Sequence, residues 1–312
     1  MKALAPIRLA LGALQKLAPE TAAAAAMHLF FTPAGRRRSR RIQEFLATGR
    51  RFAVEARGER VAAWSFGSGP PVYLVHGWAG VGGQLAAFAA PLVASGFRVV
   101  TFDAPGHGAS SGRRSSIVHF AAALTAVVRR EGAPHAIVAH SLGAAATARA
   151  MAQGLPAQRV VFLGPTGGPR DWAERFRGQL GLSLTTMARL RLRSERWLGA
   201  SWDEFDVAWL AKGQRAPLLL LHDRDDPEVP WSDGAGIAEA WPGARLVTTE
   251  GLGHRRILRD ASVVSQAVEF VAAGLATYEP CQHGVLTRTD CHTCGLEQSL
   301  FQRVERSELL LA

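Results

Sequence analysis

Three kinds of side chain that together carry out acyl transfer occur in one order along the chain. Ser141 lies in His140-Ser141-Leu142-Gly143, an acidic run follows at Asp223-Arg224-Asp225-Asp226, and His254 ends Gly251-Leu252-Gly253-His254. A serine hydroxyl is a weak nucleophile at neutral pH. It needs an imidazole to take its proton and a carboxylate to hold that imidazole in the right tautomer. A second set sits near the C-terminus, where Cys281, His283, Cys291 and Cys294 have the types and spacing of four tetrahedral zinc ligands, with His292 able to replace His283. A closed set of four would be structural. Reduced thiols, or a Cys291–Cys294 redox pair, are the alternatives, and the chain has no other cysteine.

The elements that must position these residues can be read from the flanking runs. Ala136-Ile137-Val138-Ala139 reads as a buried parallel strand, and the small residues from Leu142 to Ala150 read as the helix after it. A strand that turns at once into a helix leaves the joining residue on a strained, exposed turn, which small flanks such as Ala139 and Gly143 allow. A serine there can also be an ordinary helix N-cap. Val72-Tyr73-Leu74-Val75 is another buried strand, and it runs into His76-Gly77-Trp78-Ala79-Gly80-Val81-Gly82-Gly83. Such a turn leaves backbone N–H groups open to an anion, as a simple tight turn or a phosphate loop also would. The Lys-Ser/Thr ending of a P-loop is absent. Further strands are predicted over 99–103, 159–163, 217–222 and 245–249, a helix over 117–130, and a hairpin over 51–56 and 60–65 around Gly58.

Taken in order, these stretches resemble the α/β-hydrolases from about Val72 to Ala273. The serine turn matches the family's Gly-x-Ser-x-Gly elbow with Ala139 in place of the first glycine. Asp103-Ala104-Pro105-Gly106-His107-Gly108-Ala109-Ser110 is similar to the family's Asp-x-Pro-Gly-His-Gly-x-Ser loop. That loop is mainly structural in the family, so Asp103 and His107 are assigned no chemistry. The resemblance implies an α/β-hydrolase fold, a mostly parallel central sheet flanked by helices with a short helical cap. Its core would be 51–164 and 215–276, its cap 165–214, preceded by an N-terminal helical segment, 1–50, and followed by the Cys/His tail, 277–312. It also implies a Ser141, Asp226, His254 triad in the chain order the fold requires. Registering on His222 and Val229-Pro230 selects Asp226, with Asp223 at the family's usual glycine; a solvated turn or a cation site remains open for the acids. The oxyanion donors carried over are the Trp78 and Leu142 N–H groups. The implied activity is hydrolysis of a small-molecule carboxylic ester through an acyl-enzyme, with no cofactor for catalysis. Thioesterase, amidase, peptidase and acyltransferase chemistry use the same constellation. A different class of reading is a zinc-stapled interaction module built on the fold.

Composition narrows the setting. A chain of 312 residues that is 48% hydrophobic can bury a large core, and no apolar run is long enough to span a bilayer. Of the net charge of +10, almost all is arginine, since only Lys2, Lys16 and Lys212 are lysines. The arginines are scattered apart from the cluster at 36–41, so nucleic acid is not expected as a partner. Leu9, Leu11, Leu14 and Leu17 predict an amphipathic helix that lies on the main domain or makes peripheral membrane contact. Pro6, Arg8, Lys16 and Glu20 interrupt the apolar N-terminus and no tidy cleavage site follows, which favours the cytoplasm. Trp172, Trp197, Trp202 and Trp209 fall in the cap candidate, where apolar residues would line a substrate pocket.

Overall fold

The computed structural model describes residues 5–34 and 39–273. The zinc candidates Cys281, His283, Cys291 and Cys294 therefore lie outside the described residues, as does most of the arginine cluster. Eight strands form one sheet: β1 (Arg50–Ala56), β2 (Glu59–Phe66), β3 (Pro71–Val75), β4 (Arg98–Phe102), β5 (Ala136–His140), β6 (Arg159–Leu163), β7 (Leu218–Asp223) and β8 (Arg245–Thr249). Their spatial order is β1-β2-β4-β3-β5-β6-β7-β8. The pairings of β1 with β2 and β2 with β4 are antiparallel, and all the others are parallel. This is the expected fold class.

The strand sequences follow from this arrangement. β5 and β7 are buried along their whole length, because a parallel sheet is covered by helices on both faces, so continuous apolar runs replace alternation. The β1–β2 hairpin closes through Arg57 and Gly58, both at positive φ, the backbone that a two-residue hairpin turn needs to match strand twist. The covering helices come in chain order: α1 (Ala5–Leu17), α2 (Pro19–Phe31), α3 (Arg40–Ala47), α4 (Ala86–Ala94), α5 (Ile117–Glu131) and α6 (Leu142–Ala152). Between β6 and β7 the chain forms α7 (Pro169–Leu180), α8 (Leu184–Leu198), a short 3-10 turn (Trp202–Phe205) and α9 (Val207–Ala211). α10 (Trp231–Ala240), α11 (Gly253–Arg256) and α12 (Ala261–Ala272) complete the described chain.

The four N-terminal leucines all lie in the one helix α1, but they do not share one buried face. Ala18 leaves the helical region at φ −147° because Pro19 follows it, and the segment breaks into a hairpin of two helices. Leu11 is buried, whereas Leu9 and Leu17 are 79% and 85% exposed. α2 packs along α8, and α1 meets α7. Among the described residues no helix is long and apolar enough to cross a membrane.

A buried carboxylate ties the antiparallel edge to the helical layer. Glu131, at the end of α5, accepts hydrogen bonds from Arg50 of β1 at 2.8 and 3.0 Å and from Arg98 of β4 at 2.7 Å. Only the carboxylate is fully desolvated, since Arg50 is more than half exposed and Arg98 a quarter exposed, so its removal leaves the guanidinium groups in reach of water. Glu131→Ala is expected to lower unfolding free energy by about 1 to 2 kcal/mol, through the lost charge-assisted hydrogen bonds. Denaturant melts would check this, and an unchanged midpoint would show that the cluster contributes nothing.

Candidate active site

Ser141 joins β5 to α6 at φ 52° and ψ −121°, a left-handed backbone that a residue with a side chain rarely adopts. The surroundings leave it room only because two neighbours lack side chains. A Cβ on Gly143 would lie 2.5 Å from the His76 carbonyl oxygen and 2.8 Å from that of Val75. One on Gly77 would lie 2.9 Å from Ser141 Cβ. Ala139 is fully buried, and the turn forms with its methyl group in place.

The loop after β3 is braced from the loop after β4. Asp103 accepts the Gly82 N–H at 2.7 Å and the Ala109 N–H at 2.6 Å. His107 accepts the Ala79 N–H at 3.2 Å through Nε2, and its Nδ1 faces the Pro105 carbonyl at 3.0 Å, which assigns the proton to Nδ1. His76 Nε2 accepts the Ala104 N–H at 3.0 Å. These contacts hold Trp78 beside Ser141 on one cavity wall. Leu142 is on the same wall. As the first residue of α6, it has an N–H with no acceptor within the helix.

Of Asp223 at the end of β7 and Asp225 and Asp226 after it, Asp226 is the one that meets the histidine. Its Oδ2 lies 2.7 Å from His254 Nδ1, while Oδ1 accepts the Glu228 and Val229 N–H groups at 2.8 and 2.9 Å. His222 Nε2 is 3.5 Å from Asp226 Oδ2 and 3.2 Å from the Val229 carbonyl. Burial opposes ionisation of Asp226, but hydrogen bonds from His222, His254 and the Val229 amide outweigh it and hold the carboxyl below the usual carboxylate range. Asp223 instead accepts from Thr249 Oγ1 at 2.7 Å and from the Leu252 N–H at 2.9 Å, and Asp225 accepts from the Gly251 N–H at 3.2 Å. Both therefore shape the loop that presents His254. Ser141 Oγ makes no hydrogen bond with His254 among the described residues. Nor is there among them a group of three or more His, Cys, Asp or Glu residues able to hold a metal.

Two features of the site were not singled out from the sequence. His140 donates from Nε2 to the His254 carbonyl at 3.0 Å, and its ring centroid is 4.5 Å from that of His254. Burial, reinforced by the neighbouring His254, pushes His140 well below the ordinary histidine range, so its imidazole is neutral. Its position directly before the serine was the available signal. The second is the share of α2 in the cavity of about 450 Å³ that opens beside Ser141, where Leu29, Phe30 and Phe31 join residues from the 168–205 segment. Ser116 is on the same wall and shares a 2.7 Å hydrogen bond with His119 Nδ1. Burial, with a smaller push from the Arg57 charge, takes His119 down to about 4.

The sheet order and the strand-to-helix turn at Ser141 define the α/β-hydrolase class of fold. The model of the alpha/beta hydrolase family matches residues 72–273, and the chain belongs to that family. A non-heme haloperoxidase of Rhodococcus erythropolis is 32% identical over 69% of this chain and 96% of its own length. The RutD protein of Pseudomonas savastanoi pv. phaseolicola is 49% identical over 57 residues, 18% of this chain and 22% of that relative. An esterase from Exiguobacterium antarcticum shares the fold with a TM-score of 0.55 at 16% identity, covering 70% of this chain and 98% of the esterase.

Neutral, buried histidines make stability depend on pH with a definite sign. Unfolded histidine binds a proton near pH 6.5, whereas folded His119 does so only near 4. The unfolded state therefore holds more protons between these values, and stability present above about 6.5 is lost as the pH falls towards 4. His119 alone accounts for about 2 to 3 kcal/mol of this, with His140 adding in the same direction. Urea melts from pH 7.5 to 4.5 should show the slope, and His119→Phe should flatten part of it. A wild-type profile that is flat through this range would contradict the assignment.

Proposed function

We propose that this protein is a serine hydrolase that cleaves a carboxylic ester through an acyl-enzyme on Ser141. The observation that carries the reading is the 2.7 Å bond between Asp226 and His254 Nδ1, which fixes the tautomer whose free Nε2 can accept a proton. The bond from Ser141 Oγ to that nitrogen forms as substrate arrives, since such bonds are often loose before then. His254 then takes the Oγ proton as Ser141 attacks the ester carbon. The negative oxygen that forms is held by the Trp78 and Leu142 N–H groups, each worth roughly 3 kcal/mol in comparable sites. His254 returns the proton to the departing alcohol, the acyl group stays on Oγ, and water activated by the same imidazole releases the acid. Asp226 stays ionised through the mildly acidic range because its carboxyl is held low, so it stabilises the imidazolium throughout.

The family membership supports hydrolysis, and the esterase from Exiguobacterium antarcticum shares the fold. Ser141→Ala and His254→Ala are each expected to lower kcat/KM on p-nitrophenyl acetate by at least about a thousandfold, as loss of a triad member does elsewhere. Initial rates, with fluorophosphonate labelling of the wild type, would check this. Either variant retaining near-wild-type turnover removes the triad from the mechanism.

A further inference from the structure

The α1–α2 hairpin lies outside the residues that match the family, yet it forms part of the cavity wall. It is fastened to residues 181–193 by polar contacts on either side of its turn. Gln15 of α1 donates to the Gly181 carbonyl at 3.2 Å and accepts the Ser183 N–H at 2.5 Å, while Glu20 of α2 pairs with Arg189 at 3.0 Å and Arg193 at 3.3 Å. At the other end of α2, Phe30 lies among cap rings, edge-on to Phe176 at 5.0 Å between centroids and stacked on Trp202 at 5.7 Å. Phe31 meets Trp197 at 5.1 Å.

Ring faces and edges thus dominate the wall beside Ser141, with Phe30, Phe176, Trp78, Trp172, Trp202 and Phe205 all lining it. Its two charged residues are Arg175, whose guanidinium donates to the Glu228 backbone carbonyl and lies 6.0 Å from the Trp172 ring centroid, and Glu228, whose carboxylate pairs with Arg255 at 2.7 Å. Aromatic walls favour aromatic ligands, because offset-stacked and edge-to-face contacts add to simple burial of area. We infer that the α1–α2 hairpin is the second half of the lid and that it makes the site selective for esters carrying an aryl group, with Phe30 as a specificity-determining residue. The inference rests on the serine hydrolase reading for its reaction, but its binding component can be tested without turnover.

The test compares ethyl 3-phenylpropanoate with ethyl hexanoate, and 2-phenylethyl acetate with hexyl acetate, by pH-stat. The aryl member of at least one pair is expected to have the higher kcat/KM by about tenfold, the scale that one or two aromatic pairs supply. Phe30→Leu keeps apolar bulk and removes the ring, and should return that ratio to near one. Its thermal melt and fluorophosphonate labelling report whether the variant is folded with a reactive Ser141. In parallel, quenching of tryptophan fluorescence by 3-phenylpropanamide and by hexanamide measures binding to the wild type with no chemistry. Tighter binding of the aryl amide, weakened by Phe30→Leu, supports the inference even if no ester is turned over, an outcome that would sink only the hydrolase reading. Equal handling of aryl and alkyl partners in both assays overturns it, and so does an aryl preference that Phe30→Leu leaves intact.

Discussion

The left-handed backbone at Ser141 is the constraint on which the rest of the site depends. Such a conformation costs of order 1 to 3 kcal/mol for a residue with a side chain, and it persists only where the surroundings over-determine it. Here the surroundings are backbone. The carbonyls of Val75 and His76 press against Gly143 from one side and Gly77 presses against Ser141 from the other, so β3 and α6 lock the turn between them. The same approach that strains the serine also puts the loop after β3 beside it, together with the start of α6. Strain and candidate anion pocket are consequences of one packing decision.

Loops at this end of the sheet are braced by side chains of neighbouring segments as well as by their own. Asp103 and His107 hold the loop after β3, and Asp223 and Asp225 hold the loop that carries His254. His140 connects the serine strand to the His254 backbone. Buried carboxylates and imidazoles are expensive unless paired, and here nearly every amide they accept from lies in a segment that would otherwise be an unsupported loop. Polar burial is thereby converted into positional accuracy, since a shift in any one loop leaves a desolvated group unpaired in another.

The cavity is shaped by parts of the chain far apart in sequence. Residues 165–214 supply most of its cover, but α2 inserts Leu29, Phe30 and Phe31 from the N-terminal side. Aromatic packing between Phe30, Phe176 and Trp202 makes the two contributions one surface, with ion pairs from Glu20 on its outer side. The space beside Ser141 is therefore bounded both by the segment between β6 and β7 and by one that the family match does not include.

Local chemistry was legible in the sequence because local spacing determines it. The apolar runs of β5 and β7, the small residues around Ser141 and the glycines of the loop after β4 each encode a backbone shape within a few residues, and together they define the fold. Asp226 could be chosen over its acidic neighbours only by register with a family pattern. In the fold, amides of the 251–252 segment engage Asp223 and Asp225, while Asp226 turns one oxygen to the Glu228 and Val229 amides and the other to the His254 imidazole. What tertiary structure alone decided are the pairings with no local signature. His140 reaches a carbonyl 114 residues away, and Phe30 packs against rings some 150 residues further on, contacts that exist only once the sheet has brought distant loops to one edge. The residue types of the site are thus written in the sequence, but their distances and the walls around them are products of packing.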